Sequence, residues 1–238
     1  MSTKDDVFVC DFVFLFPGKS FSIDFLNSWT NSIIYLNKKG NSFASIFKSG
    51  SIIQELRNQL VAAPVVDEEG TILEKKMQRS NIPFSGTIKP KRVIFIDSDM
   101  VWNLEALNKI LYTDADVLCA PYRTEVVNQT VIASLQGGYM TTDEIQHLTE
   151  PFEILAGGMG FVSVKYEVLE KIGFPWFNTV YYKDENTGEF EFAGEDSYFF
   201  FRAKEEGFTI MCDPNIFVGH EKSSIMEMPK KIHTHEEE

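Results

Sequence analysis

Two kinds of hydrophobic pattern alternate along this chain: short unbroken apolar runs, and longer stretches in which apolar residues recur every three or four positions. The unbroken runs predict strands buried on both faces, because consecutive β-branched and aromatic residues leave no polar face for water. Val7 to Phe16 is the first, interrupted only at Asp11 and ending at "PGKS". Phe25, Trp29, Ile33 and Leu36 then follow at helical spacing, and Gly40 is placed to end that helix. A short strand around Phe43 to Phe47 leads into "SGSIIQELRNQLV", where Ser49 or Ser51 caps a helix with Ile52, Ile53, Leu56 and Leu60 facing inward. Strand, helix, strand, helix is the alternation of a doubly wound α/β sheet.

The pattern lapses between Pro64 and Pro90, a charged stretch rich in turn formers that reads as an inserted loop or lid. Arg92 to Asp97 restores it with a third buried strand. "NLEALNKILYT" follows as a helix with Leu104, Leu107 and Leu111 on one side, and "ADVLCAPY" as a fourth strand. After a polar stretch, "EILAGGMGFVSVKYEVLEKIG" reads as a glycine-rich turn, a strand and a helix. "YYKDENTGEFEF" reads as a hairpin with Gly188 in its turn. "GEDSYFFFRAKEEGF" is a helix opened by two acids, and "TIMCDPNIFVGHEK" supplies short strands running up to His220. No repeat or low-complexity segment interrupts the series. The expectation is one mixed α/β domain over residues 1–229, followed by a polar tail at 230–238.

Composition narrows the field. With 238 residues, 44% of them apolar, the chain can fill a substantial core. A formal net charge of -13 and the lack of a Lys/Arg cluster argue against a nucleic-acid partner. The excess acid reads as a solvated surface or, more sharply, as cation-binding carboxylates; composition alone favours the first. Cys10, Cys119 and Cys212 lie far apart in apolar runs without metal-ligand spacing, and read as reduced core residues of a reducing compartment. The run ending at Pro17 is broken by Asp11, lacks a basic leader, and falls short of the roughly 20 residues a span requires. The expectation is a cytoplasmic protein with no transmembrane anchor. His233 and His235 in "HTHEEE" are metal-ligating in type, but a frayed terminus is a poor place for a specific site.

The chemistry concentrates elsewhere. In "VIFIDSDMVW", Asp97 and Asp99 fall at the carboxyl end of a buried strand, where open α/β sheets bind ligands. A hard cation takes carboxylate oxygens and shares its sphere with substrate phosphates, although a turn capping the next helix explains the pair equally well. His220 follows an apolar strand, and a neutral imidazole there completes an oxygen-based site or serves a structural role. Glu195 and Asp196 open a helix, either as ordinary N-terminal acids or with one acting as a general base. Gly157, Gly158 and Gly160 precede a strand, so they are not a dinucleotide fingerprint, and they suit close approach of backbone to a ligand. Arg57 and Asn58 are polar residues within an apolar helix; the arginine is either a surface residue or a fork for a diphosphate.

Taken in order, "FLFPGKSFSIDFLNSW", "ELRNQL", "VIFIDSDMVW", "DADVLCAPYR", "GGMGFVSVKYEVLEKIGFPWF", "GEDSYFFFRAKEEGF" and "DPNIFVGHEK" resemble the nucleotide-diphospho-sugar glycosyltransferases of the GT-A fold. The pattern is close to small transferases of bacterial viruses and, more distantly, to family 2 and Anp1-like mannosyltransferases. The resemblance implies a single Rossmann-like, doubly wound mixed-sheet domain acting with Mn²⁺ or Mg²⁺ and a UDP- or GDP-sugar donor. It makes Asp97, Ser98 and Asp99 the DxD motif, with Asp99 on the cation and Asp97 on the ribose side or sharing the cation. His220 becomes the further metal ligand. Phe16 and Pro17 border the base, Arg57 faces the diphosphate, Gly157 and Gly158 face the sugar, and Asp196 is the base of inverting members with Glu195 beside it. A glycan, a lipid-linked species or a protein is the implied acceptor, and virus-encoded action in a host cytoplasm is the implied setting. Two alternatives stand beside it: a haloacid dehalogenase-type phosphohydrolase, whose nucleophile and acid/base pair is also DxD, and a non-catalytic sugar-nucleotide or glycan-binding module.

Overall fold

The computed structural model describes residues 7–62, 81–183 and 188–222. The expected tail at 230–238 and most of the expected insertion at 64–90 lie outside the described residues. In chain order the elements are β1 (Phe8–Pro17), α1 (Ile23–Lys39), β2 (Phe43–Lys48), α2 (Ile53–Ala62), β3 (Ile88–Ile96), β4 (Met100–Trp102), α3 (Leu104–Leu111) and β5 (Val117–Cys119). They continue with β6 (Gln129–Ala133), β7 (Tyr139–Thr141), α4 (Thr142–Gln146), β8 (Phe152–Glu153), β9 (Phe161–Lys165) and α5 (Tyr166–Ile172). The last are β10 (Val180–Lys183), β11 (Phe190–Ala193), α6 (Glu195–Glu205), β12 (Ile210–Cys212) and β13 (Val218–His220).

Seven strands form one mixed sheet in the order β2-β1-β3-β9-β5-β12-β8. β1 runs parallel to both β2 and β3, whereas β9 lies antiparallel between β3 and β5. The doubly wound arrangement follows from the strand pleat, which sends alternate side chains to opposite faces. Phe12, Phe14 and Phe16 pack with Phe25 and Trp29 of α1 and Leu107 of α3, while Val13 and Leu15 pack with Leu60 of α2, Leu169 of α5 and Phe199 of α6. Helices thus cover both faces, which is why β1 and β3 carry unbroken apolar runs. α1 starts where the Ser22 hydroxyl accepts the Phe25 N–H at 2.9 Å and ends at Gly40, whose φ of 73° favours glycine.

Several local expectations shift. α2 begins at Ile53, and Ile52 and Ile53 are exposed rather than inward, because the buried side of this helix is Leu56, Arg57, Asn58, Leu60 and Val61. Leu104 is exposed as the first residue of α3, behind an Asn103 cap. β3 starts at Ile88, inside the segment expected to be a loop, and the polar stretch after β5 contains the β6–β7 pair that the sequence pattern did not reveal. The three cysteines are buried and free, and burial pushes the Cys10 thiol up to about 11. Among the described residues no helix is long and apolar enough to cross a membrane.

Candidate functional site

The end of β3 is fixed by its neighbour. The Asp97 N–H donates to the Gly160 carbonyl at 2.9 Å, and the Met100 N–H donates back to the Asp97 carbonyl at 3.1 Å, closing a turn before β4. The two aspartates of that turn have different partners. Both oxygens of Asp97 accept from Arg57 Nη2, at 2.9 and 3.0 Å. Arg57 Nη1 donates to Glu195 Oε1 and to Asp196 Oδ1, each at 2.5 Å. One guanidinium, with only 3% of its side chain exposed, therefore gathers three carboxylates from β3 and the start of α6. Burial alone would lower its pKa; Asp196, Asp97 and Glu195 together raise it above the ordinary value.

This arrangement corrects the expectation for Arg57 and ties the two acids of α6 to it. Arg57 is neither a surface residue nor a fork open to a diphosphate, because carboxylates already hold both terminal nitrogens. Glu195 and Asp196 converge on one nitrogen, since a buried cation at the helix mouth attracts both. Asp196 does not titrate as an ordinary N-terminal acid. Burial pushes its carboxyl from the ordinary 3.8 to about 7; Arg57 opposes the rise, Glu195 and Asp97 add to it, and the Met159 N–H, donating at 3.2 Å, opposes it.

Asp99 looks the other way. β13 pairs antiparallel with β4, setting His220 opposite Met100, and the Glu221 N–H donates to the Asp99 carbonyl at 2.8 Å. His220 Nε2 lies 3.1 Å from Asp99 Oδ2, and Lys222 Nζ lies 3.3 Å from the same oxygen. The other ring nitrogen, Nδ1, is 2.9 Å from the Arg123 carbonyl oxygen. A carbonyl only accepts, so Nδ1 carries a proton; Nε2 then either carries a second proton and donates to Asp99, or presents a lone pair beside a carboxylate that only accepts. In the second case a cation belongs beside the pair, the Lys222 ammonium or a metal ion. A carbonyl-anchored Nδ1–H is also the usual outer support of a metal-bound histidine, and 3.1 Å is close to the spacing of adjacent ligands around an ion with bonds of about 2.1 Å. The donor set of Asp99 and His220 therefore fits a divalent ion of the Mn²⁺ or Mg²⁺ kind. Asp97, drawn to Arg57, does not join them: among the described residues no three His, Cys, Asp or Glu side chains surround a common point.

A cleft of about 280 Å³ opens beside this turn, lined by Pro17, Gly18, Gly50, Ser51, Ile53 and Leu56 together with Asp97, Ser98 and Asp99. Gly18 is required there, since a Cβ would fall 2.4 Å from Cβ of Ser98. Pro17 lines this cleft, but the Phe16 ring does not: it is buried, stacked on Phe47 at 4.5 Å and edge-on to Trp29 at 4.8 Å. The glycine run serves a neighbour that the sequence did not point to. A Cβ on Gly158 would lie 2.3 Å from the Tyr122 hydroxyl, and one on Gly160 would lie 2.6 Å from it. Gly157 lies against the Cys119 sulfur. The Tyr122 hydroxyl accepts the Gly160 N–H at 3.0 Å, and its ring meets His220 edge-on with centroids 5.0 Å apart. A larger cavity of about 510 Å³ borders α3, with Tyr112, Asp114, Met211 and Asp213 in its lining, away from these groups.

The sequence matches no protein-family model and no curated protein. Among solved structures the chain is similar to A197 from STIV, with 14% identity over 92% of this chain and 98% of that one and a TM-score of 0.49. It is similar to the catalytic domain of Drosophila beta1,4-galactosyltransferase 7 in complex with xylobiose, with 12% identity over 91% and 72% and a TM-score of 0.47. It is also similar to GalNAc-T7 with UDP, GalNAc and Mn²⁺, with 9% identity over 89% of this chain and 43% of that one and a TM-score of 0.48.

Proposed function

We propose that this chain is a metal-dependent glycosyltransferase that moves a sugar from a nucleoside diphosphate sugar to an acceptor hydroxyl. The observation that carries the reading is the Asp99–His220 pair at a strand end, a carboxylate and an imidazole nitrogen 3.1 Å apart beside a cleft with one apolar wall. Asp99 and His220 would hold the cation, and the Arg123 carbonyl keeps the imidazole in the ligating tautomer. The bound ion would supply Lewis-acid stabilisation of the charge that builds on the leaving diphosphate. Pro17 and Ile53 offer the nucleotide an apolar surface, and Gly18 leaves the room that the Ser98 side chain takes in the turn.

Asp196 is the base in this reading. Its carboxyl, raised to about 7, lies near the pH at which a general base is most effective, and the Met159 N–H and Arg57 hold it in one orientation. Arg57 is a positioning residue that acts through the carboxylates it gathers. A base opposite the leaving group implies inversion at the anomeric carbon. The phosphohydrolase alternative needs a lysine beside Asp97, and the cation on Asp97 is the Arg57 guanidinium.

Titration calorimetry with UDP and GDP, each with and without Mn²⁺, tests the reading. Binding is expected only with the cation and is expected to weaken at least tenfold in Asp99→Asn. Full affinity in chelator, or phosphate release from p-nitrophenyl phosphate, refutes it.

A further inference from the structure

The β10–β11 hairpin carries chemistry that the donor site leaves unexplained. Tyr181 and Phe190 are each 74% exposed and Phe192 is 58% exposed. The register sets Tyr181 opposite Phe192 and Lys183 opposite Phe190. Because side chains two apart share a face, the three rings and the lysine stem line one side of the hairpin. Tyr181 and Phe192 are tilted neighbours with ring centroids 5.3 Å apart. The opposite side is used differently: Ala193 is buried, and the Tyr182 hydroxyl donates to Glu191 at 2.8 Å.

Contiguous exposed apolar surface usually marks a binding site, and three kinds of occupant compete for this one. An anionic membrane is opposed by charge, since the chain carries -13 overall and Glu189 and Glu191 lie on the hairpin itself. A second copy of the chain is opposed by size, because two strands of four residues fall well short of the roughly 800 Å² per partner of a stable interface. A neutral sugar meets neither objection. One face of a pyranose is a patch of C–H groups that fits a flat ring, and its hydroxyls remain free for carboxylates and water.

Chain continuity favours the sugar as well. β11 ends at Ala193, Gly194 follows, and Glu195 and Asp196 come next. Three residues at about 3.3 Å each put the backbone of Phe192 within roughly 10 Å of that of Glu195, the length of one or two sugar units. We infer that the Tyr181–Phe192 pair is the platform on which a sugar unit of the acceptor stacks, so that the acceptor is a neutral oligosaccharide or glycan reaching from this platform to Asp196. This rests on the transferase reading above and adds the acceptor's class to it.

Saturation-transfer NMR on the full chain, without nucleotide or Mn²⁺, tests the inference with maltotriose, cellotriose and mannotriose as probes. Transfer to the C–H protons of at least one trisaccharide is expected, and the double variant Tyr181→Ala, Phe192→Ala should weaken it tenfold or more with an unchanged melting temperature and unchanged nucleotide–Mn²⁺ affinity. Tyr181→Phe should retain it. No transfer with any of the three, or equal transfer to the double variant, overturns the inference. So does sedimentation with phosphatidylglycerol vesicles that the double variant abolishes, which would assign the face to lipid. A wild-type dimer that the double variant converts to monomer overturns it in favour of self-association. Trisaccharide binding without any nucleotide binding would refute the transferase reading while leaving the platform in place.

Discussion

Asp97 and Asp99 stand one residue apart in the same turn and belong to different regions of the molecule. Asp97 faces inward to a guanidinium that is 3% exposed, in a group of four charged residues with a single cation. Asp99, with 40% of its side chain exposed, faces a histidine and a lysine from the last described strand and the residues after it. The first region is closed on the guanidinium: all three carboxylates hydrogen-bond to it, and each holds the rest in place. The second is open, a carboxylate and an imidazole nitrogen with an exposed lysine at their edge. A carboxylate's role in this turn is therefore set by the countercharge that the fold brings to it.

The largest effect is expected from removing the countercharge of the closed region. Arg57→Met should cost about 3–5 kcal/mol in urea unfolding at neutral pH, the usual scale when one partner of a buried ion pair is lost. An unchanged midpoint would show that the three carboxylates do not depend on the guanidinium.

Next comes Asp196, where the closed region meets chemistry. Asp196→Asn should lower turnover by about 10²-fold, the scale of a lost general base, and leave nucleotide affinity intact. It should also change how stability depends on pH. The Asp196 pKa rises from 3.8 to about 7 on folding, so the folded state holds that proton more tightly. Between pH 4 and 7 the unfolded chain releases it first, and this carboxyl subtracts stability as pH rises through that window. Thermal melts at pH 4, 5, 6 and 7 should therefore show a shallower decline in Asp196→Asn than in wild type; parallel curves would contradict the raised carboxyl.

A pair of variants separates the two regions directly. Asp99→Asn and His220→Ala should each weaken Mn²⁺ binding by about tenfold, the scale for losing a ligand or its support, with little change in stability. Asp97→Asn should do the reverse. Paramagnetic relaxation of water protons reads the metal, and urea unfolding reads the fold. If Asp97→Asn instead loses the metal with unchanged stability, the division between the regions fails.

The smallest effect is expected at the rim. Lys222→Ala removes an ammonium 3.3 Å from Asp99, a pair that is largely exposed and worth at most about 1 kcal/mol. Mn²⁺ affinity should rise by up to about fivefold as a competing cation leaves; a fall would mean that the lysine supports the site.

Much of this architecture was legible in the chain alone. Unbroken apolar runs marked β1 and β3, helical spacing marked α1, Gly40 marked its end, and the DSD motif fell at a strand terminus as the change from apolar to acidic residues indicated. Those features are local: burial on both faces writes itself into consecutive residues, and a cap needs only its neighbours. What the tertiary structure decided are the partnerships. Arg57 reaches Glu195 across 138 positions and His220 reaches Asp99 across 121, because the β4–β13 pairing and the packing of α2 close to the mouth of α6 set those groups side by side. Phe16 looked like a cleft residue until α1 and β2 enclosed it. The glycines 158 and 160 looked like an approach for a ligand until Tyr122 occupied their space. Periodicity reports whether a residue is buried, but which countercharge or ring it meets depends on strand order and on the desolvation that forces charges to pair, and neither is encoded in the spacing of residues along the chain.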